Sequence, residues 1–241
     1  MINRSIASRI IGLATSFPAV VFTGARQVGK TTLLTSLFPN HRKVSLDLPS
    51  EAEKAEREPE RFLADNPPPV LIDEVQYAPG LFRHLKVAID SRRSDPGQFI
   101  LTGSQKFTLM REVSDSLAGR VGIAELEGLS SEEISGAGIP LDPITLIARG
   151  GFPELWTNSN MAVTEFYRSY LSTYLERDVR QLINVSSLRD FERFLRALAA
   201  RNAQSLNKSE LGRDVGISEK DRKSTRLNSS HSTLSRMPSS A

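Results

Sequence analysis

The sequence predicts an α/β protein, in which a three-layer domain built on a parallel sheet is followed by a partial, mostly helical domain. From residue 19 to residue 126, short apolar runs alternate with helical patterns, as parallel strands joined by right-handed crossovers do. After residue 129 only helical patterns follow. We therefore expect a first domain at residues 1–129 and a second at residues 130–220.

The first half of the sheet domain shows two strands and three helices. Apolar spacing predicts a short helix over Asn3–Ala14. The continuous apolar run Ala19–Phe22 suits a strand buried on both faces, whereas alternation in Lys43–Leu48 predicts a second strand. Helical patterns follow these strands at Thr31–Phe38 and, in a charged stretch that we interpret as a solvated helix, at Ser50–Ala64.

The second half of the domain completes a sheet of about five strands. The run Val70–Ile72 begins after three prolines, which break regular structure. Two more strands are predicted at Gln98–Thr102 and Val121–Leu126. Between the third and fourth strands, Leu81–Ile89 has its apolar residues on one helical face.

The region after residue 129 is predicted to be helical. Ser130 and Glu133 have the spacing of a capping box, which marks the start of a helix. Amphipathic patterns predict a long helix at Thr164–Ile183, a second at Leu188–Ala200 and a short one at Lys208–Val215.

The composition excludes several classes of protein. The 241 residues are 39% hydrophobic and 24% charged, which is ordinary for a soluble globular protein. There is no cysteine, so disulfide frameworks and thiolate metal sites are excluded. No apolar run approaches the roughly 20 residues that span a bilayer, and the N-terminus lacks the apolar core of a signal peptide. We expect a cytoplasmic protein that does not bind membranes.

The last 21 residues of the 241 are expected to lie outside the fold. Residues 221–241 resemble one reading frame of a sequencing adapter, and the alternative is a genuine serine-rich disordered tail. The basic residues of this segment outnumber its one acidic residue by three, which is the whole net charge of +3. The remaining chain is neutral, so its charge gives no argument for nucleic acid or membrane binding.

A phosphate-binding loop is predicted directly after the first strand. The segment GARQVGKT, Gly24–Thr31, fits G-x-x-x-x-G-K-S/T, the Walker A pattern, between an apolar strand and a helix. Its backbone N–H groups bind phosphate oxygens, Lys30 reaches the β- and γ-phosphates, and the Thr31 hydroxyl ligates Mg²⁺. The domain is therefore predicted to be a P-loop NTPase. The predicted nucleotide-binding residues are Gly24, Ala25, Arg26, Gln27, Val28, Gly29, Lys30, Thr31 and Thr32.

An acid pair ends the third strand and is the predicted Walker B element. Asp73 and Glu74 follow the apolar run Val70–Ile72, at the sheet edge where ligands of parallel sheets bind. Asp73 is expected to hold Mg²⁺, directly or through water. Glu74 is expected to act as the general base that polarises the attacking water.

Two further positions are candidate catalytic residues. Ser104 or Thr102, at the end of the fourth strand, can contact the γ-phosphate or the lytic water, and an ordinary strand-end turn is the alternative. Arg120, just before the fifth strand, can supply positive charge to the transition state, in its own subunit or in a neighbour. A solvated or salt-bridged arginine is the commoner arrangement.

On six segments the chain resembles a known family, the prokaryotic AAA-like ATPases that pair an N-terminal P-loop domain with a C-terminal domain of unknown function. The resemblance implies ATP rather than GTP as the nucleotide. It also implies that two sets of residues are family features, Arg26–Gln27 and Ala118–Arg120. The segments are GARQVGKTT (24–32), VLIDEVQ (70–76), ILTGSQ (100–105), SLAGRV (116–121), GGFPE (150–154) and YLERDV (174–179).

The predicted function is Mg²⁺-dependent ATP binding and hydrolysis, with ATP and Mg²⁺ as cofactors. The alternative is an ATP-gated switch that orders a surface for DNA or a partner protein, with little turnover. Ser209–Ser218 resembles the opening of a helix-turn-helix whose continuation would fall beyond Lys220, so a DNA or protein partner is expected to need that region. Oligomerisation is also compatible with the family. A GTPase is disfavoured because Asn207–Glu210 lacks the final aspartate of the guanine-binding motif.

Overall fold

Five parallel strands form one sheet in the computed structural model, which describes residues 2–174, 188–202, 204–205 and 207–216. The spatial order is β2-β3-β4-β1-β5, so β1 lies between β4 and β5. The order also places β4 between the strand that precedes the phosphate loop and the strand that carries the acid pair. The strands are β1 (Ala19–Gly24), β2 (Arg42–Ser45), β3 (Val70–Asp73), β4 (Phe99–Gly103) and β5 (Val121–Leu126).

The central strands are buried on both faces, as their continuous apolar sequences predict. Successive side chains of β1 point to opposite sides: Val21 joins one hydrophobic cluster, and Val20 and Phe22 join the other. In β3 the same alternation separates Ile72 from Leu71. Each apolar strand therefore contributes to two cores, which is why these runs do not alternate with polar residues.

Helices cover both faces of the sheet and complete the three layers. Apolar residues of α1 and α2 pack in one core, and those of α4, α5 and α6 pack in the other. The fold class predicted from the sequence, α/β with a parallel sheet and a helical C-terminal part, is confirmed. In chain order these helices are α1 (Ala7–Ser16), α2 (Lys30–Leu37), α3 (Pro49–Arg57), α4 (Pro59–Asp65), α5 (Leu81–Ser91) and α6 (Lys106–Ser116).

Several predicted boundaries differ from the structure. Helix α1 begins at Ala7 and not at Asn3, because the preceding residues form a turn. The charged stretch Ser50–Ala64 forms two helices instead of one, since Pro59 starts a new helix after Glu58. It is also not fully solvated, because Phe62 is buried in the core.

Helix α6, between β4 and β5, was not predicted at all. Its core residues Leu109 and Val113 are four apart, and Leu117 follows the same spacing just after the helix. One apolar residue per turn gives only a narrow stripe. Such a stripe is easily overlooked among the polar residues of this segment.

The chain divides into two units, Met1–Tyr167 and Arg168–Ala241. The predicted boundary at residue 129 falls inside the first unit, so the domain limits of 1–129 and 130–220 remain a prediction. The predicted capping box is confirmed, since Ser130 and Glu133 bond reciprocally at the start of a helix. The remaining helices of this unit are α7 (Ser131–Gly136), α8 (Pro143–Arg149) and α9 (Glu154–Thr157), and α10 (Val163–Tyr174) crosses the division.

In the second unit, α11 (Leu188–Ala199) and α12 (Lys208–Val215) contact each other. The predicted helix Thr164–Ile183 is seen as far as Tyr174, and the rest of it lies outside the described residues. The segment 221–241 and most of the YLERDV motif also lie outside them. No helix within the described ranges is both long enough and apolar enough to cross a membrane.

Candidate functional site

The candidate site lies at the carboxyl edge of the sheet. Since all strands are parallel, Gly24, Asp73 and Gly103 end neighbouring or next-neighbouring strands at the same edge. The phosphate loop leaves β1 there, Glu74 follows β3, and Ser104 follows β4. The predicted loop, acid pair and Ser104 are thereby brought together by strand order alone.

The loop after β1 has a backbone that requires glycine at two positions. Gly24 has φ 145°, and a Cβ atom there would lie 2.2 Å from the Leu126 carbonyl oxygen of β5. Gly29 has φ 91° and precedes α2 without a side-chain cap. The N-cap of α2 is therefore a glycine, which has no side chain to place over the helix N-terminus, where anions commonly bind.

Lys30 is buried at the start of α2, with 6% of its surface exposed. Its ammonium group donates to the carbonyl oxygens of Gly24 and Ala25, each at 2.9 Å, and to the Ser104 hydroxyl at 3.0 Å. A buried ammonium needs such partners. The amine is thus held over the loop, between β1 and the end of β4.

Asp73 and Thr31 meet at the same edge. The Thr31 hydroxyl donates to one carboxylate oxygen of Asp73 at 2.9 Å, and the Thr102 hydroxyl donates to the other. A hydroxyl and a carboxylate oxygen are ligands that suit Mg²⁺. The described part of the chain holds no group of three or more acidic, histidine or cysteine side chains that would form an all-protein metal site.

Glu74 is held by three donors. The Ser104 hydroxyl donates to one carboxylate oxygen, and the other accepts from the Ser104 amide at 3.2 Å and the Gln76 side-chain amide at 2.5 Å. Burial raises the pKa of Glu74, but the hydrogen bonds from Ser104 and Gln76, with the charge of Lys30, outweigh it and lower the pKa below the ordinary 4.5. The carboxylate is therefore ionised and oriented.

The sequence prediction missed Gln76. It is 5% exposed and follows Glu74 by two residues, in the short 3-10 turn after β3. Its position close to the acid pair in the sequence is only a weak indication of a functional role, because a glutamine after a strand can have many other roles. What identifies it is the hydrogen bond to the carboxylate, which depends on the left-handed backbone of Glu74, φ 56°.

Arg120 is not brought to the site within this chain. It precedes β5, at the amino edge of the sheet, whereas the loop follows the carboxyl end of β1. Its guanidinium forms two bonds with the Asp90 carboxylate, at 2.7 and 2.9 Å. Of the two options that the sequence left open, this arrangement does not support action on the same subunit, because the length of β5 separates Arg120 from the loop. A role on a neighbouring subunit stays a prediction.

The remaining predicted nucleotide-binding residues differ in their exposure to solvent. Val28 is buried in the core beside α2, Arg26 is half-buried, and Ala25, Gln27 and Thr32 are exposed. Gln27 also has a positive φ, 62°. Exposed positions next to a helix N-terminus leave the loop open to a ligand from solvent.

Comparison with known proteins agrees with this architecture. Residues 16–135 match the AAA domain family, and residues 142–226 match a family described as Domain of unknown function (DUF8612). Uncharacterized proteins of Mycobacterium tuberculosis (Rv2008c) and Mycobacterium bovis (Mb2031c) are each 31% identical over 219 residues. The alignment covers 90% of this chain and 48% of each relative, so the chain spans about half the length of these relatives.

Among solved structures, the Walker-type ATPase PABY2304 of Pyrococcus abyssi has the same fold. Its TM-score is 0.51 at 16% sequence identity, and the match covers 90% of this chain and 89% of that one. At this identity the similarity concerns the fold alone. The sheet order, the glycine-constrained loop and the family matches together identify residues 16–135 as an AAA domain, joined in this chain to a DUF8612 domain.

Proposed function

We propose that this protein binds ATP at the loop Gly24–Thr31 and hydrolyses its β–γ phosphoanhydride in a Mg²⁺-dependent reaction. One observation carries the proposal: Lys30, Asp73 and Glu74, three charged side chains each at most 9% exposed, converge at the edge of the sheet where the loop begins. Burying three charges is costly unless they serve a ligand or one another. Membership of the AAA family favours the same reaction.

The phosphate groups would be bound by the backbone and by Lys30. Phosphate oxygens would accept hydrogen bonds from the backbone amides at the N-terminus of α2, where the helix dipole favours negative charge. The Lys30 ammonium now bonds to two loop carbonyls. A phosphate oxygen is a stronger partner for a cation than a neutral carbonyl, so the amine would turn to the nucleotide.

A magnesium ion fits the oxygen ligands beside the loop. Thr31 and Asp73 would hold it, since their hydroxyl and carboxylate oxygens already lie 2.9 Å apart. When bound, Mg²⁺ would neutralise charge that develops on the phosphate oxygens. Thr102, which bonds to the far oxygen of Asp73, would keep that carboxylate turned toward the ion.

Glu74 would accept a proton from the attacking water as the bond to the γ-phosphorus forms. Its lowered pKa keeps it ionised near neutral pH. Ser104 donates to this carboxylate and accepts from Lys30 at 3.0 Å, so one hydroxyl connects the predicted base to the predicted phosphate ligand. This supports the sensing role proposed for Ser104.

A second candidate is an ATP-gated switch that presents a surface to DNA or a protein partner. The observation that favours it is the number of donors on Glu74, because a carboxylate with three hydrogen bonds and a lowered pKa is a weak base. Slow turnover would follow until a partner releases the carboxylate. Such a partner, an oligomeric form and a cytoplasmic location all remain proposals.

The test is Mg²⁺-dependent ATP hydrolysis by the 241-residue chain, beside Lys30→Ala and Glu74→Gln. We expect turnover in the parent and at least a ~100-fold loss in Glu74→Gln with ATP affinity retained, since general-base catalysis contributes about that much. Lys30→Ala should weaken ATP binding itself. Parent binding without turnover would favour the switch. A folded parent that binds no nucleotide, with folding verified by circular dichroism, would exclude both functions.

A further inference from the structure

Arg4, in the turn before α1, reaches the phosphate loop from outside. Its Nη1 donates to the Val28 carbonyl at 2.9 Å, and its Nη2 donates to the carbonyls of Glu127 at 2.7 Å and Gly128 at 3.2 Å. Its Nε donates to the Glu133 carboxylate at 3.0 Å, and only 7% of its side chain is exposed. One guanidinium thus binds four acceptors from three distant parts of the chain.

The bond to Val28 fixes the orientation of a peptide unit inside the loop. A trans peptide is planar, so its carbonyl and its N–H point in opposite directions. The carbonyl of Val28 shares such a unit with the N–H of Gly29, the residue before Lys30. When Arg4 holds the carbonyl, it turns the Gly29 amide to the opposite side, away from Arg4.

This peptide unit needs external support because Gly29 gives it rotational freedom. Gly29 has φ 91°, and apart from the adjacent residues no heavy atom lies within 4 Å of the position that its Cβ would occupy. Glycine populates positive and negative φ about equally, so the unit can flip at little steric cost. A fixed donor on the Val28 carbonyl is what selects one orientation.

Arginine is specifically suited to this position. Its planar fork presents five donors in fixed directions, whereas a lysine ammonium is a point charge with three rotatable donors. Glu133 balances the charge, and this carboxylate is itself fixed by the Ser5 amide at 2.7 Å and the Ser130 amide at 3.1 Å. The capping box of α7 therefore also orients Arg4.

The same guanidinium joins the loop to the turn that contains the GGFPE motif. Gly128, one of its acceptors, packs against Gly151 so closely that a Cβ on Gly128 would lie 2.9 Å from the Gly151 carbonyl oxygen. The next amide, of Leu129, donates to that oxygen at 2.6 Å. The phosphate loop and this glycine turn are thus connected through Arg4 by three hydrogen bonds and the 128–129 peptide.

We propose that Arg4 is a positioning residue for the phosphate-binding loop: it fixes the 28–29 peptide so that the Gly29 amide is oriented for a polyphosphate before the ligand arrives. The inference deepens the proposed nucleotide site and rests on it. According to this inference, part of the free energy of polyphosphate binding comes from the N-terminal segment, through Arg4, and not from the loop residues alone. Preorganised donors cost a ligand less ordering free energy than donors that it must turn.

The experiment compares Arg4→Met and Arg4→Lys with Arg9→Met in the full chain. Arg9 lies on the exposed side of α1, so it controls for loss of a cation in the same segment. Calorimetric titration with ATP and with inorganic tripolyphosphate should show about tenfold weaker binding of both ligands in Arg4→Met. Arg4→Lys should recover only part of this loss, and Arg9→Met should bind as the parent does.

Loss of stability alone would not produce this pattern. All titrations are made well below the melting temperature of each variant, so a folded Arg4→Met that binds both ligands as tightly as the parent overturns the proposal. If Arg4→Met does not fold, Arg4→Lys decides by the same criterion.

A second measurement needs no nucleotide and so separates this inference from the proposed function. The ¹⁵N order parameter of the Gly29 amide in the free protein should fall from about 0.85 in the parent to about 0.6 in Arg4→Lys. An unchanged order parameter contradicts the role of Arg4, whether or not the protein binds ATP. If the parent binds no nucleotide but the order parameter still falls in Arg4→Lys, the proposed function alone is refuted.

Discussion

Glu74 has a strained backbone, and both oxygens of its carboxylate accept hydrogen bonds. Its φ of 56° is a left-handed conformation that costs a residue with a side chain about 1 kcal/mol. In return the side chain reaches Ser104 on one side and Gln76 on the other. Strain of this kind persists where surrounding contacts determine it, and here those contacts orient the proposed base.

Replacing Gln76 with leucine should separate binding from turnover. Gln76→Leu removes one of the donors on Glu74 while keeping a side chain of similar volume, so one of the hydrogen bonds that orient the carboxylate is lost. We expect kcat for ATP hydrolysis to fall about tenfold, with the Kd for ATP unchanged within about twofold. Steady-state hydrolysis and a titration with a fluorescent ATP analogue measure the two quantities.

Gln98→Leu is a matched control. Gln98 is also a buried glutamine, 6% exposed, and its Oε1, like that of Gln76, has no hydrogen-bond partner among the described residues. Its amide bonds to the Arg92 carbonyl, at the amino edge of the sheet. Equal losses of kcat in the two variants would mean that Gln76 acts only through stability.

The sequence identified the residues that follow local rules and missed those that depend on tertiary contacts. The spacing of Gly24, Gly29 and Lys30 is a local property, and so is the position of Asp73 after an apolar strand. Arg4 meets its partner Glu133 across 129 positions of sequence. No periodicity or motif spacing contains that information, because it depends on how the strands are ordered in space.

At the scale of elements, the Arg4–Glu133 pair connects the N-terminal turn to α7. Burial raises the pKa of Glu133, but hydrogen bonds from Ser5 and Ser130, with the charge of Arg4, outweigh it and lower the pKa below 4.5. A carboxyl group whose pKa is lowered by folding stabilises the protein above its unfolded pKa. That contribution is lost as the pH falls through the lower, folded value.

Glu133→Gln should therefore reduce stability near pH 7 more than in acid. At neutral pH we expect the free energy of unfolding to fall by about 2 kcal/mol, because the buried charge of Arg4 loses its partner. As the pH drops below the ordinary 4.5, the parent loses the same contribution and the difference should shrink. Urea unfolding followed by circular dichroism across this range measures it.

Glu53→Gln provides the control for this comparison. Glu53 pairs with Arg57 on the exposed side of α3, where 61% and 77% of the two side chains are accessible. Exposed pairs contribute little to stability, so this variant should unfold as the parent does at neutral pH. A difference between Glu133→Gln and the parent that stays constant with pH would rule out the ionised pair as its cause.

The helices and strands with the clearest hydrophobic patterns in the sequence were predicted most accurately. The runs that became β1 and β3 are continuous and apolar, because both faces of the sheet are covered, and they were located within two residues at each end. Pro59 divides α3 from α4. Ala55 and Phe62, on either side of it, both lie in the core, so their apolar spacing in the sequence resembles that of a single helix. Helix α6 escaped prediction because its buried stripe is one residue wide.

At the scale of the whole molecule, Arg120 bears on whether the chain acts alone. It lies at the amino edge of the sheet, on the opposite side from the loop, and is paired with Asp90. The hydrogen bond from Arg120 is the main cause that lowers the pKa of Asp90, which is exposed. An arginine that acts on a neighbouring subunit would have to exchange this carboxylate for its new partner. The amino edge of the sheet is too far from the phosphate loop of the same chain, but it can face the phosphate loop of a second copy.

If Arg120 completes the site of a neighbour, activity should depend on assembly. We expect the turnover per chain to rise with protein concentration in the parent, but not in Arg120→Ala, because the arginine stabilises transition-state charge only where two copies meet.

Arg93→Ala is the control, since Arg93 shares the Asp90 carboxylate at 3.9 Å on the same surface. Mixing Lys30→Ala with Arg120→Ala should restore part of the turnover, since one copy supplies an intact loop and the other supplies the arginine. Turnover that is independent of concentration, with no recovery on mixing, would assign Arg120 to the ion pair with Asp90 alone.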